Sequence, residues 1–241
     1  MKKDIIVFDK DGTLIDFDAF WVSVSVAAVK DVLKKLNKQE VDINKILNAF
    51  GVKGGMTDID GILCKGTYEE LGLAMYDVLK EYGCNESAET VVDMLINAYT
   101  NNAESGEVVP TCKDLQEVLL KLKSEGRRLV VVTTDNYEIT YRCLEALGIK
   151  ELFDRVFADD GKTPVKPNPD CILEYLAAEG IPADRAVMVG DTMTDINFAR
   201  NAGMNVISVG ADEKGRQRLA PFADVVVSGV SYIFDALKEL E

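Results

Sequence analysis

The sequence predicts an α/β fold: a Rossmann-like, mainly parallel sheet flanked by helices, interrupted by an inserted all-helical domain. Three observations lead there. Short β-branched runs are apolar throughout rather than alternating, as in strands buried on both faces. The helical segments between them stop at glycines, the residue that most easily ends a helix. Residues 17–107 break this rhythm and show helical periodicity alone.

In chain order, the run IIVF, Ile5–Phe8, is the first strand. Residues 19–36 read as a helix with Phe20, Val24, Ala27 and Ala28 near one face. A glycine-rich loop follows at 51–61. Thr67 and Glu70 form a capping-box pattern that opens a helix to about residue 82, and 87–101 reads as another. After Pro110 the strand–helix alternation resumes. Strands are predicted at 129–132, more weakly at 155–158, then at 186–189, 206–209 and Val225–Val227. Helices are predicted at 114–125, 140–147, 169–179 and 195–202, followed by Gly126, Gly148, Gly180 and Gly203. Strand, helix, glycine, strand argues for βαβ units. The expected division is a core of residues 1–16 and 108–241 with an insert of 17–107, joined at hinges near 14–18 and 107–111.

Composition narrows the function. The 241 residues carry a net charge of −14 without a basic patch, which argues against nucleic acid and anionic membranes as partners. No apolar stretch is long enough to span a bilayer, and the first apolar segment is too short for a signal peptide. The five cysteines are scattered without a CxxC pair, so a reducing cytoplasm is the expected compartment. The chain has no histidine, which removes Ser-His-Asp and Cys-His catalysis and leaves carboxylates to move protons.

Four polar sites follow apolar runs: Asp9 and Asp11 after IIVF, Thr133 and Thr134 after LVVV, Lys166 in VKPNPD, and Asp191 with Asp195 in MVGDTMTD. In a parallel sheet the carboxyl ends of the strands converge on one crevice. Four carboxylates gathered there suit a hard cation such as Mg2+. The lysine, the hydroxyls and free backbone N–H groups suit a phosphate. Lys10, one residue past Asp9, is expected to point away from Asp9 and Asp11 by strand alternation, solvated or locally paired. Trp21 and its aromatic neighbours read as core of the insert, and the loop 51–61 with Lys53 and Lys65 as solvated.

FDKDGTL, VVVTTDN, VKPNPD and VGDTMTD, in this order, resemble the four motifs of the haloacid dehalogenase-like hydrolase superfamily. The helical insert resembles its C1 cap, and LEALGI with the run 191–203 resembles the phosphoglycolate phosphatase-like branch. The resemblance implies a Mg2+-dependent phosphoric monoester hydrolase acting on a small phosphorylated metabolite, of phosphoglycolate or sugar phosphate type. By the same resemblance Asp9 is the nucleophile that becomes an aspartyl-phosphate, and Asp11 is the acid and base. Asp9, Asp191 and the Asp11 carbonyl hold the metal, with Asp195 in support. Thr133, the backbone near Thr134, and Lys166 bind the phosphoryl group, Gly12 lets the chain turn sharply under it, and the cap closes over the substrate. P-type ATPases share the Asp-Lys pair but lack an acid at the Asp11 position, and the dehalogenase branch lacks that acid too. A phosphomutase resembling β-phosphoglucomutase is the second reading, and a phospho-aspartate signalling receiver a third. A monomer or homodimer is expected.

Overall fold

The computed structural model describes residues 2–241; Met1, the first residue of the expected core, lies outside them. The described residues form eight strands: β1 Ile5–Phe8, β2 Val52–Lys53, β3 Met56–Thr57, β4 Arg128–Asn136, β5 Arg155–Asp159, β6 Ala186–Gly190, β7 Asn205–Val209 and β8 Val225–Val227. The chain divides into two compact units, Met1–Asp16 with Val108–Glu241, and Phe17–Glu107.

The first unit holds a six-stranded sheet in the order β5-β4-β1-β6-β7-β8, with every pair parallel. Each residue of β1 and β6, and nearly all of β7, is buried. Helices flank the sheet because parallel strands are joined only by crossovers, and each crossover covers a face. One face buries Ile5, Val7, Val130 and Met188 with Ile172, Leu176, Phe198 and Ala199 from the flanking helices. Each of these side chains larger than alanine contributes roughly 1.5–3 kcal/mol on leaving water. The strand order reverses at β1 and β6: β4 and β5 extend from one side of β1, and β6, β7 and β8 from the other. The crevice at the carboxyl ends of strands beside such a reversal is where ligands bind open α/β sheets.

Past Asp11 the chain runs briefly antiparallel to the segment that returns at residue 108. Ile15 bridges Pro110, Asp16 N–H donates to the Val109 carbonyl at 2.8 Å, and Thr111 N–H donates to the Leu14 carbonyl at 3.1 Å.

The second unit packs the helix Phe17–Lys35 through Phe20, Val24, Ala28 and Val32, and buries Leu71, Met75 and Leu79 from Tyr68–Glu81 and Val91, Leu95 and Ala98 from Ala88–Asn102. The capping box of Thr67 and Glu70 forms as the pattern predicts. Ser25 and Tyr99 share a buried hydroxyl pair at 2.7 Å. Trp21 is half-buried and packs edge-on against the buried Phe20 with ring centres 5.2 Å apart, so it lies at the edge of that core rather than within it. The structure adds one element to the all-helical pattern: β2 and β3 pair as a hairpin. Gly54 and Gly55 turn it with φ of 59° and 82°, the left-handed pair that a two-residue hairpin turn requires. Asp18 ties the hairpin to the first helix by accepting the Thr57 N–H at 3.0 Å and its hydroxyl at 2.6 Å. Strands of two residues are too short for any hydrophobic period to show.

Candidate active site

Asp9 leaves the sheet directly after β1 while its N–H still donates to the Val189 carbonyl at 2.9 Å, so β6 fixes its backbone. A tight turn follows, with the Leu14 and Ile15 N–H groups donating to the Lys10 carbonyl at 2.9 and 3.0 Å. Gly12 stands in this turn at φ 77°, and a Cβ there would fall on the Asp191 carboxylate. The turn thus needs glycine twice, for its backbone and for its neighbour. Thr13, fully buried, donates its hydroxyl to Asp191 Oδ1 at 3.3 Å.

Asp191 directly follows β6, the strand paired beside β1. Thr192 caps the next helix, Met193–Ala202, and forms a capping box with Asp195, which explains why the helix begins two residues earlier than predicted. Asp195 Oδ2 accepts the Thr192 N–H at 3.0 Å and its hydroxyl at 2.7 Å. Asp195 Oδ1 faces Lys166 Nζ at 2.6 Å. The same ammonium contacts Asp9 Oδ1. Both Asp195 oxygens are therefore engaged, and Asp195 itself is completely buried.

Asp9, Asp191 and Asp195 each bring a carboxylate oxygen within 4.8 Å of the others. Three carboxylates face one ammonium, an excess of negative charge in a buried place. The effect on titration follows. Burial, joined by the Asp195 and Asp11 charges and opposed by Lys166, raises Asp9 from 3.8 to about 7. Burial, then the Asp9 and Asp195 charges, push Asp191 well above its ordinary value. Burial works against the charge on Lys166, but the Asp195 and Asp9 carboxylates outweigh it and hold the ammonium above its usual range. The all-oxygen donor set and its surplus negative charge fit a hard divalent cation such as Mg2+.

Thr133 is buried near the end of β4, two residues past the Val131 partner of Phe8. Its Oγ1 accepts the Asp135 N–H at 3.1 Å, which leaves its own proton to donate. Thr134 is exposed beside it. β4 runs four residues beyond the predicted 132 because residues 133–136 stay extended despite their polarity.

Asp11 does not join the three-acid group. Here the structure corrects the sequence reading of Lys10. The lysine is locally paired, one of the two alternatives, but it is neither solvated nor turned from Asp11: it is 0 % exposed, with Nζ 2.8 Å from Asp11 Oδ1 and 2.9 Å from Asp135 Oδ2. Strand alternation does not govern it, since β1 ends at Phe8 and Lys10 lies in the turn. Burial disfavours its charge, yet the Asp11 and Asp135 carboxylates more than offset this and hold it above its ordinary value. Sequence reasoning missed Asp135, Thr13 and Thr192. Asp135 had a signal, an acid two residues past Thr133 in VVVTTDN. Thr192 had one too, the spacing T-x-x-D ahead of a helix. In the insert, Lys65 is exposed and paired with Asp60, and Lys53 is exposed on the hairpin.

The chain resembles Pyrophosphatase PpaX of Halalkalibacterium halodurans, at 26 % identity over 238 residues covering 98 % of this chain and 97 % of that protein. It also resembles the Phosphoglycolate phosphatase of Psychrobacter arcticus, at 28 % identity over 219 residues covering 87 % and 84 %. A crystal structure from Thermotoga maritima, described as a candidate beta-phosphoglucomutase, superposes with a TM-score of 0.69 at 20 % identity over 100 % of both chains, which shows a shared fold. The model of the haloacid dehalogenase-like hydrolase family matches residues 65–209, and the chain belongs to that family.

Proposed function

We propose that the protein is a Mg2+-dependent phosphatase that hydrolyses a small phosphorylated metabolite through an aspartyl-phosphate on Asp9. The observation that carries this reading is the meeting of Asp9, Asp191 and Asp195 around one ammonium at the strand-order reversal. The two curated relatives are named for a pyrophosphatase and a phosphatase, which supports phosphate-ester or anhydride chemistry.

Asp9 and Asp191 supply the ligand oxygens for Mg2+, with the Asp11 backbone carbonyl as a further donor. The ion, when bound, neutralises charge on the phosphoryl group. Asp195, with both oxygens occupied, supports the site by holding Lys166. Lys166 restrains Asp9 and offers its remaining donors to the phosphoryl oxygens. Asp9 attacks phosphorus, the bond to the leaving oxygen breaks, and Asp11 gives that oxygen a proton. Asp11 then takes a proton from the water that attacks the phosphorus of phospho-Asp9, releasing phosphate and restoring Asp9. Each proton transfer is worth roughly 10²–10⁴-fold in rate. Thr133 donates its hydroxyl to a phosphoryl oxygen, the backbone near Thr134 assists, and the Gly12 turn brings further N–H groups close. A carboxylate is a weak nucleophile, so positioning and neutralisation account for most of the acceleration. The helical unit supplies the specificity for the metabolite.

The test is phosphate release from a panel with and without Mg2+: 2-phosphoglycolate, sugar phosphates, inorganic pyrophosphate and p-nitrophenyl phosphate. Mg2+-dependent release that Asp9→Asn abolishes is the expected result. No release from any of them, or an active Asp9→Asn protein, defeats the reading.

A further inference from the structure

The geometry points to Lys10 as a positioning residue that sets the aim of Asp11, with Asp135 as its anchor. The inference rests on the reading of Asp11 as the group that protonates the leaving oxygen. Lys10 has no exposed surface, so its ammonium cannot be an ordinary solvated charge. It stands between two carboxylates from two neighbouring strands, Asp11 past the end of β1 and Asp135 near the end of β4, at 2.8 and 2.9 Å. A buried ion pair of this kind is a poor source of stability, because desolvation of each charge offsets the attraction. It is a good source of fixed direction. Asp11 is short, 19 % exposed at its side chain, and lies in a turn rather than in the ladder. Its carboxyl would otherwise rotate freely about Cα–Cβ, and a proton donor displaced by about an ångström loses much of its effect.

The anchor is built into the phosphate-binding strand. Asp135 N–H donates to Thr133 Oγ1 at 3.1 Å, and Asp135 Oδ1 accepts the Asn136 N–H at 2.8 Å, which leaves Oδ2 turned toward Lys10. Thr133, Asp135, Lys10 and Asp11 thus form one connected chain from the end of β4 to the end of β1. The same chain orients the Thr133 hydroxyl and the Asp11 carboxyl. The contacts of Lys10 with Asp11 and Asp135 are distinct from those of Lys166, which contacts Asp9 and Asp195. The site uses one lysine for the nucleophile and another for the acid.

Leaving-group dependence separates positioning of an acid from general structural support. Phenyl phosphate releases a phenol that ionises as tyrosine does, at about 10, and needs the proton. p-Nitrophenolate is a far weaker base and departs without one. The value of kcat/KM, measured for both substrates at saturating Mg2+ and one pH, reports the step in which that bond breaks. Asp11→Asn sets the reference by losing far more with phenyl phosphate. For Lys10→Met the loss with phenyl phosphate is expected to exceed that with p-nitrophenyl phosphate by about 10-fold or more, within the range of one proton transfer. Asp135→Asn, which keeps the lysine, gives a smaller split in the same direction, and it carries the test if Lys10→Met does not fold. Equal losses for both substrates in both variants, or no loss, overturn the positioning role. A split in Asp11→Asn with none in the other two overturns it while leaving the proposed function standing.

Discussion

Asp195 Oδ1 and Lys166 Nζ stand 2.6 Å apart in a place closed to solvent, and Asp195 is held from behind by Thr192. The capping box of a ten-residue helix therefore also fixes the cation that contacts Asp9.

Removing the ammonium should show how much depends on it. Lys166→Met leaves Asp9 and Asp195 buried without their partner, and breaking a buried pair costs about 3–5 kcal/mol. Urea denaturation without metal should show a loss of that order, and turnover should fall by more than about 10²-fold even at saturating Mg2+.

Asp191 is predicted to serve the metal before the fold. Its carboxyl is pushed up by burial and by two neighbouring acids, so in its ionised form it opposes folding of the metal-free protein. Asp191→Asn should raise the melting temperature of the metal-free protein and weaken Mg2+ binding by about 10–100-fold, as read by calorimetric titration. Mg2+ should stabilise the wild-type protein by about 2.7 kcal/mol at a hundred times its dissociation constant, and the variant much less.

The pH dependence has a definite sign. Asp9 is raised on folding, from 3.8 to about 7. A carboxyl raised in the folded state contributes stability fully present below its unfolded value and lost as pH rises through the folded one. Metal-free protein should lose stability between pH 3.8 and about 7. Mg2+ binding requires the ionised carboxylates, so its affinity should climb with pH through the same window. Thermal melts with and without Mg2+ across that range check both trends. An affinity flat in pH would contradict them.

Gly12 tests the fit of the turn. Gly12→Ala forces a residue with a side chain to φ 77° and drives its Cβ onto Asp191. A loss of more than about 1 kcal/mol is expected, together with weaker Mg2+ binding. Gly180→Ala is the control: φ is 65° there with nothing within 4 Å, so stability should fall while metal affinity is kept.

The sheet was legible because buried parallel strands are written as uninterrupted apolar runs: Ile5–Phe8 and Val225–Val227 appear with the predicted bounds. The convergence of Asp9, Asp191 and Lys166 followed from strand ends sharing one rim. What stayed hidden had no period to betray it. The polar end of β4 looks like a loop in sequence, and the hairpin at 52–57 is shorter than one alternation. The direction of Lys10, though not its local pairing, was misread because alternation was carried past the last residue of β1 into a turn. Its burial depends on Asp135, more than a hundred residues away, and a long-range pairing of opposite charges leaves no local trace.

The covalent step is the central claim, and it can be caught. On the proposed mechanism Asp11→Asn would lack the base for hydrolysis but should still accept a phosphoryl group from p-nitrophenyl phosphate, whose leaving group needs no proton. Acid-quenching that variant during turnover with Mg2+, followed by peptide mass mapping, should place one phosphoryl group on Asp9. A protein that releases p-nitrophenolate yet carries the phosphoryl group elsewhere, or carries none at any quench time, would contradict the account.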